Sequence, residues 1–462
     1  MKISIATAFA DLRSLTGQEV TVSGWIRSSR IGKSVSFIQL SDGSCQRQLQ
    51  VVLMPDCGCY EEAARQGVGA AMRVTGLLTE TPEAHQPCEL RATAAEVVGE
   101  CPPEYPLQKK RHSPEFLRTI SHLRPRTQLY SAVFRVRSLI SFAVHRFFNE
   151  NGFIYVHTPI ITASDCEGAG EMFRVTAFDI EKPPRTPDGA VDFAKDFFGK
   201  PCSLTVSGQL NAECFAQAFG KVYTFGPTFR AENSNTARHA AEFWMIEPEI
   251  AFANLCDDMD LCEAFVKHLI NDLFENAAGE LDFFNQWVDS GLIARLENVR
   301  AGAFERCTYT AAIEILEKSG RRFEFPVSWG CDLQAEHERY LTETYFGRPV
   351  FITDYPKDIK AFYMRLNDDG RTVAAMDLLV PGIGEIVGGS QREERLGRLT
   401  ARMAETGMAA EDYEWYLDLR RYGTAPHAGF GLGLERFVMY ATGVSNIRDV
   451  LPFARVPGSA GF

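Results

Sequence analysis

This chain of 462 residues contains no apolar run approaching the ~18 residues of a membrane span. Its N-terminus, Met1-Lys-Ile-Ser-Ile-Ala, has neither an apolar core region nor a small-residue cleavage pattern, so no secretory signal and a cytoplasmic location are expected. Cysteine is present but not organised. The twelve are scattered, and the closest spacings, Cys57-Gly-Cys59 and Cys256 with Cys262, lack the paired Cys-x-x-Cys step of a zinc site. Reduced thiols are expected rather than a disulfide framework. Positive charge is in deficit, with 48 Lys and Arg against 60 Asp and Glu for a net charge of −12. That excludes a protein that coats nucleic acid by bulk electrostatics, while leaving room for a local basic track. Two nucleotide signatures are missing as well. Gly32-Lys33-Ser34 looks like the end of a phosphate-binding loop, but Arg27 stands where that loop needs glycine. Gly429-Phe-Gly-Leu-Gly lacks the strand-turn-helix setting of a dinucleotide fold.

What is present divides the chain in two. Glu19–Arg27, Val35–Leu40, Arg47–Leu53 and Ala71–Leu77 read as short strands, with a helical piece near Glu61 to Gln66. About five strands in ~80 residues suggest a barrel of the oligonucleotide-binding type over residues 1–103. Cys101-Pro-Pro-Glu-Tyr-Pro106 breaks the pattern, and Lys109-Lys-Arg-His112 with Arg118, Arg124 and Arg126 makes residues 104–126 a basic linker that is open to an RNA backbone or to solvent. From Val133 apolar residues recur at helical spacing through Val136, Ile140, Val144, Phe147 and Phe148, and stop at Asn151-Gly152. Phe153 to Thr162 reads as a strand interrupted by Pro159. Residues 255–345 read as amphipathic helix without recognisable chemistry, and 350–365 and 372–388 as strand.

The segment Val222 to Ile250 is two apolar strands joined by a polar loop, Arg230-Ala-Glu-Asn-Ser-Asn-Thr-Ala-Arg-His-Ala-Ala-Glu242. A hairpin of this kind sets a guanidinium at a strand end, where its planar fork grips a phosphate bidentately. Downstream, Gly429-Phe-Gly-Leu-Gly-Leu-Glu-Arg436 runs from a strand into a helix with an arginine at the junction. Activating a carboxylic acid with ATP places growing charge on phosphate oxygens, so it needs placed cations and no protein nucleophile. Arg230 and Arg436 suit that role. Asp377 and Glu385, in a glycine-rich run, suit an Mg²⁺ that bridges phosphates.

Together these segments resemble motifs 2 and 3 of class II aminoacyl-tRNA synthetases, and the helix, strand and proline of residues 133–162 resemble motif 1, the dimer element. The likeness narrows to the asparaginyl-tRNA synthetases of the aspartyl/asparaginyl/lysyl subgroup through Ser164 to Phe173, Phe197 to Lys200, Leu204 to Leu210, Phe229 to Glu249, Asp354 to Arg365, Gly382 to Glu393 and Gly429 to Arg436. The resemblance implies an α+β chain, with the barrel followed by a class II catalytic domain (127–462) on an antiparallel sheet flanked by helices. Motif 2 would cover 222–250, a helical insertion 255–345, and motif 3 429–441. It implies amino-acid contacts from Glu167, Gln209, Arg230, Glu249 and Arg392. ATP contacts would come from Arg230, Glu232, His239, Phe243, Glu385 and the run Gly433, Leu434, Glu435 and Arg436, with Mg²⁺ on Asp377 and Glu385. The catalytic groups would be Arg230, Glu385 and Arg436. In the barrel, Phe37 and Gln50 match anticodon readers, joined by Trp25 and Arg27. Ala237 and Ala240 depart from the serine and leucine expected in the loop.

The function implied is ligation of L-asparagine to tRNA(Asn) by a homodimer that uses ATP and Mg²⁺. An aspartyl-tRNA synthetase is the nearest rival. A free-asparagine enzyme would have no use for a barrel, and a non-catalytic RNA-binding paralogue no use for the full ATP constellation. Aspartyl enzymes carry a lysine where this chain has Ala212, so an aspartate side chain is expected to lose a counter-charge there.

Overall fold

A computed structural model describes residues 1–58, 60–166, 171–234 and 236–461. The chain divides into two compact units, Met1–Ala132 and Val133–Phe462. In the first, β1 (Glu19–Arg30), β2 (Ser36–Ser41), β3 (Leu49–Leu53), β4 (Ala71–Glu80) and β5 (Cys88–Gly99) close a barrel in the order β1-β2-β3-β5-β4. Period-two alternation drives this closure. Val20, Val22, Ile26, Ile38, Leu40, Val51, Val74 and Leu90 all point into one dry core. Where β4 and β5 shift register, a Cβ on Gly76 would lie 2.2 Å from the Arg91 carbonyl oxygen, so only glycine lets the two strands meet there. The sequence did not delimit β5, because its alternation fades beyond Leu90.

The linker is more structured than expected. It carries a helix at Pro114–Thr119, whose Ser113 hydroxyl accepts from the Phe116 N–H, and a 3₁₀ turn at Arg124–Arg126. Arg124 is only 1 % exposed, with its guanidinium 4.5 Å from the Tyr130 ring centroid. It is a structural cation and leaves the expected basic track.

In the second unit the helix Gln128–Glu150 buries Val133, Val136, Ile140, Val144, Phe147 and Phe148, the expected apolar repeat, and the chain turns at Gly152 with φ 78°. Then follow β6 (Ile154–Tyr155), β7 (Ile161–Thr162), β8 (Arg174–Val175), β9 (Cys202–Leu204), β10 (Lys221–Phe229), β11 (Glu242–Ala251), β12 (Glu305–Thr308), β13 (Val350–Pro356), β14 (Thr372–Val380), β15 (Gly384–Gln391) and β16 (His427–Gly433). Eight of them form one sheet, in the order β12-β13-β14-β15-β16-β11-β10-β6. The six central strands are antiparallel, as expected, and the edge pairs β10 with β6 and β12 with β13 are parallel. Pro159 separates β6 from β7, which belong to different sheets. The strand expected over 350–365 ends at Pro356. Asp354 takes φ 58°, the register shifts, and Lys357–Ile359 turns as a 3₁₀ helix. The region 255–345 is mostly helical, interrupted by β12 and by an irregular stretch between Lys318 and Ala335, and closes with a π turn over Tyr340–Tyr345.

Candidate active site

The hairpin β10–β11 pairs from Lys221 with Ile250 to Phe229 with Glu242, so Arg230 emerges where the strands part. The Arg230 backbone N–H donates to the Ala241 carbonyl at 3.0 Å, and its guanidinium lies 5.5 Å from the Phe243 ring centroid. Arg230, Glu232, His239, Phe243, Glu385, Gly433, Glu435 and Arg436 line one cleft. A planar base fits against Phe243, and the arginines provide the cations that a polyphosphate requires. Burial, then the Arg436 charge, pull the His239 imidazole below its ordinary pKa, while the Glu232 charge opposes them.

Two expected nucleotide contacts do something else. Leu434 is buried and lines a separate apolar groove with Phe142, Phe225 and Trp244. Glu435 borders the cleft, but its carboxylate accepts from the Arg137 guanidinium at 2.6 Å and from the Trp244 N–H at 3.0 Å, which pins the helix Gln128–Glu150 to β11.

A second cleft continues from the first and shares Arg230, Glu232, Met245, Glu385 and Gly431 with it. Gln209, Glu249 and Arg392 line this end. Glu249 and Arg392 form a two-point ion pair, Nη2 to Oε1 and Nε to Oε2, the latter at 3.2 Å, while Arg392 Nη1 donates to Ser390 at 2.8 Å. Burial pushes the Glu249 carboxyl upward, Arg392 opposes it, and the Glu213 charge adds to the rise. Beneath them Glu213 accepts from Gln209 at 3.2 Å and Arg420 at 2.9 Å, and Tyr416 and His427 also touch it. Burial works against the Glu213 charge, yet Arg420 and His427 together hold the carboxyl well below the usual range. Ala212 does not face this cleft. Its methyl packs with Val156, Ala216 and Val222, so the expected role of a missing lysine passes to Glu249 and Glu213. Glu167 lies outside the described residues.

Asp377 and Glu385 converge over bare backbone. A Cβ on Gly388 would stand 3.4 Å from Asp377 Oδ1 and 3.7 Å from Glu385 Oε1. Lys360 donates to Asp377 Oδ2 at 2.7 Å, and Asp377 and Glu385 both line the second cleft. No group of three or more His, Cys, Asp or Glu side chains poised for a metal occurs among the described residues. Two carboxylates with substrate phosphates nevertheless match the way Mg²⁺ is ordinarily held.

In the barrel, Phe37 and Gln50 share an outer face. Gln39 Nε2 donates to Gln50 Oε1 at 3.0 Å, and Gln50 Nε2 donates to Glu89 Oε2 at 3.5 Å, a polar ladder across β2, β3 and β5. Trp25 and Arg27 lie elsewhere, in a recess with Tyr105, Lys109, Lys110 and Arg126. Burial, offset in part by Tyr105 and reinforced by Arg126, pulls the Arg27 pKa down, so this recess favours an anion.

The sequence reading missed Tyr416, Arg420, His427 and Glu247. Glu247 binds Ser207, the Gly208 N–H at 3.1 Å and Thr224 at 2.9 Å. The signal was available in Glu247-Pro-Glu249, two acidic residues at strand period inside an apolar strand. It also missed Glu338, whose carboxyl is pushed up to about 7 by burial and then by the Glu385 charge.

A family described as tRNA synthetases class II (D, K and N) matches residues 113–457, and an OB-fold nucleic acid binding domain matches residues 20–98. The chain belongs to the class II tRNA synthetases of the D, K and N group. It is 61 % identical over 458 residues to the asparagine-tRNA ligase of Desulfitobacterium hafniense (strain Y51), covering 99 % of each chain. It is 58 % identical to that of Clostridium tetani (strain Massachusetts / E88), covering 100 % of each. Among solved structures, the asparaginyl-tRNA synthetase from Pyrococcus horikoshii complexed with asparaginyl-adenylate is 34 % identical, with a TM-score of 0.85 and 97 % coverage of both chains.

Removing one partner of a buried pair strands the other, so Glu213→Gln is expected to cost roughly 3–5 kcal/mol at neutral pH. A carboxylate whose folded pKa is depressed contributes its full stability above its unfolded value of 4.5 and loses it as pH falls toward the folded value. The gap in Tm between wild type and Glu213→Gln should therefore narrow below about pH 4.5, measured by calorimetry across pH.

Proposed function

We propose that the protein ligates L-asparagine to tRNA(Asn) in two steps. In the first, an asparagine carboxylate oxygen attacks the α-phosphorus of ATP and pyrophosphate leaves, giving asparaginyl-adenylate. In the second, the 3′-hydroxyl of the terminal adenosine attacks the acyl carbon and AMP leaves. The observation that carries this reading is the continuity of the two clefts through Arg230. A group at that junction reaches both the α-carboxylate and the α-phosphate, and Arg436 and Glu385 stand on the phosphate side. Mg²⁺, held by Asp377 and Glu385, would neutralise phosphate charge. Positioning and electrostatics supply the catalysis.

The choice of amino acid follows from Arg392. Three of its five N–H donors are already spent, on Glu249 and Ser390. An amide oxygen accepts one of the remaining donors while its NH₂ donates to Glu249. A carboxylate in the same place meets Glu249 as a like charge in a dry pocket, which costs several kcal/mol. Asparagine should therefore be activated at least ~100-fold better than aspartate in ATP–pyrophosphate exchange, a difference of ~2.7 kcal/mol. Arg230→Ala should lower the asparagine rate by ~10²–10³. Equal exchange with both amino acids would establish the aspartyl reading instead.

The barrel is proposed to read the anticodon through Phe37 and Gln50, with the Trp25–Arg27 recess on the RNA backbone. Phe37→Ala should weaken tRNA charging by the ~1–3 kcal/mol of a stacked base and Gln50→Ala by the ~0.5–1.5 kcal/mol of a hydrogen bond, with pyrophosphate exchange unmoved. A parallel fall in both assays would remove the barrel from that role.

A homodimer is proposed from the apolar groove of Phe142, Phe225, Trp244, Leu434 and Phe453, in which Phe142 is 73 % exposed. Light scattering at micromolar concentration should give the mass of two chains. No described helix is long and apolar enough to cross a membrane, and every described cysteine is a free thiol, which suits the reducing cytoplasm.

A further inference from the structure

The turn between β14 and β15, Pro381-Gly-Ile-Gly384, delivers Glu385 to the nucleotide cleft and is gripped from several sides. Glu343 Oε1 accepts from the Gly382 N–H at 2.9 Å, and Glu338 Oε2 accepts from the Glu385 N–H at 3.4 Å. From the cleft side, Arg238 donates to the Ile383 carbonyl at 2.6 Å and Arg436 to the Glu385 carbonyl at 3.1 Å. The turn's N–H groups thus go to two carboxylates of the helical region, and its carbonyls to two arginines of the cleft.

The fit is tight. Gly382 and Gly384 have φ of +93° and +85°, a region that favours glycine, and a Cβ on Gly384 would stand 2.1 Å from Glu338 Oε2. Five residues of α-helix turn the chain through about 140° beyond a full turn, which would splay Glu338 and Glu343 apart. Here the helix Ala335–Arg339 runs into the π turn Tyr340–Tyr345, where the Phe346 N–H donates to the Leu341 carbonyl at 2.9 Å, five residues back. That wider turn brings residues five apart toward one face, and such insertions recur at functional sites.

We propose that Glu338 and Glu343 are positioning residues of the nucleotide site, holding the Gly382–Glu385 backbone so that the Glu385 carboxylate meets the ATP phosphates and their Mg²⁺. This rests on the reading of that cleft as an ATP site, and gives the helical region a part in the reaction. Glu343 is exposed, so truncating it removes the hydrogen bond without opening the core.

The test is calorimetric binding of ATP to the full-length protein, with Mg²⁺ and with EDTA, beside binding of L-asparagine alone. Glu343→Ala should weaken ATP·Mg²⁺ by about three- to tenfold, the range of one hydrogen bond, while asparagine affinity stays within about twofold. Glu338→Ala with Glu343→Ala should weaken it further. Glu343→Gln keeps an accepting oxygen and should bind within about twofold of wild type. The proposal is overturned if Glu343→Ala binds ATP·Mg²⁺ as wild type does. It is equally overturned if both ligands weaken together, or if Glu343→Gln is as weak as Glu343→Ala. Failure of the ATP reading itself has a different signature: wild type would then lack ATP binding and asparagine-dependent pyrophosphate exchange.

Discussion

A guanidinium as deep as that of Arg392, 3 % exposed, is tolerable only with a carboxylate beside it. Much of the surrounding sequence follows from that pairing. Glu249 comes from β11, and on the neighbouring strand β16 a Cβ at Gly429 would stand 2.6 Å from the Glu249 carboxyl carbon. The pair therefore requires glycine there. Arg392 also needs Ser390 two residues before it, and Glu213, below the pair, must be matched in turn by Arg420. Asp258 is buried nearby, and burial pushes its carboxyl well above the ordinary value while the Arg392 charge opposes the rise. In this cluster Arg392 is matched by Glu249 and Arg420 by Glu213, so each of the two guanidiniums has its own carboxylate.

The cleft beyond Arg230 is built differently. Arg230, Arg238 and Arg436 stand at its wall. Arg230 uses its N–H to Ala241, Arg238 donates to the Ile383 carbonyl, and Arg436 donates to the Glu385 carbonyl. Arg436 also stands 3.5 Å from the Glu385 carboxylate, so carboxylate and carbonyl of one residue share its guanidinium.

How much of this was legible in sequence depends on the length scale of each signal. The barrel strands were readable because burial alternates with period two, and the long helix because Val133 to Phe148 repeat at helical spacing. Arg230, Glu385 and Arg436 drew notice because they sit in polar or glycine-rich runs, Phe243 came from the family resemblance, and the four line one cleft. Leu434 was misplaced because adjacency to Arg436 says nothing about which face of the helix a neighbour takes. Its side chain turns to the apolar groove instead. Ala212 was misplaced for a similar reason. One residue along a helix is 100° of rotation, enough to move it from the face of Gln209 and Glu213 to a cluster with Val156 and Val222. Tyr416, Arg420 and His427 were invisible because their meaning lies in Glu213, two hundred residues earlier in the chain.

The helical region marks where local reading ends. Glu338 and Glu343 look like ordinary solvated charges on an amphipathic helix, and their spacing of five fits neither an α-helical face nor a strand face. Only the π turn and the two positive-φ glycines opposite make the spacing intelligible. The glycines in Pro381-Gly-Ile-Gly384 were noticed as richness beside Glu385, but richness alone explains nothing. Gly384 is required because a carboxylate from another element occupies the space where its Cβ would stand. The same logic applies at Gly429, which makes room for Glu249. In this catalytic unit the glycines record where charged side chains from distant elements approach the sheet, so the pattern of absent side chains maps the site as faithfully as the charged residues do.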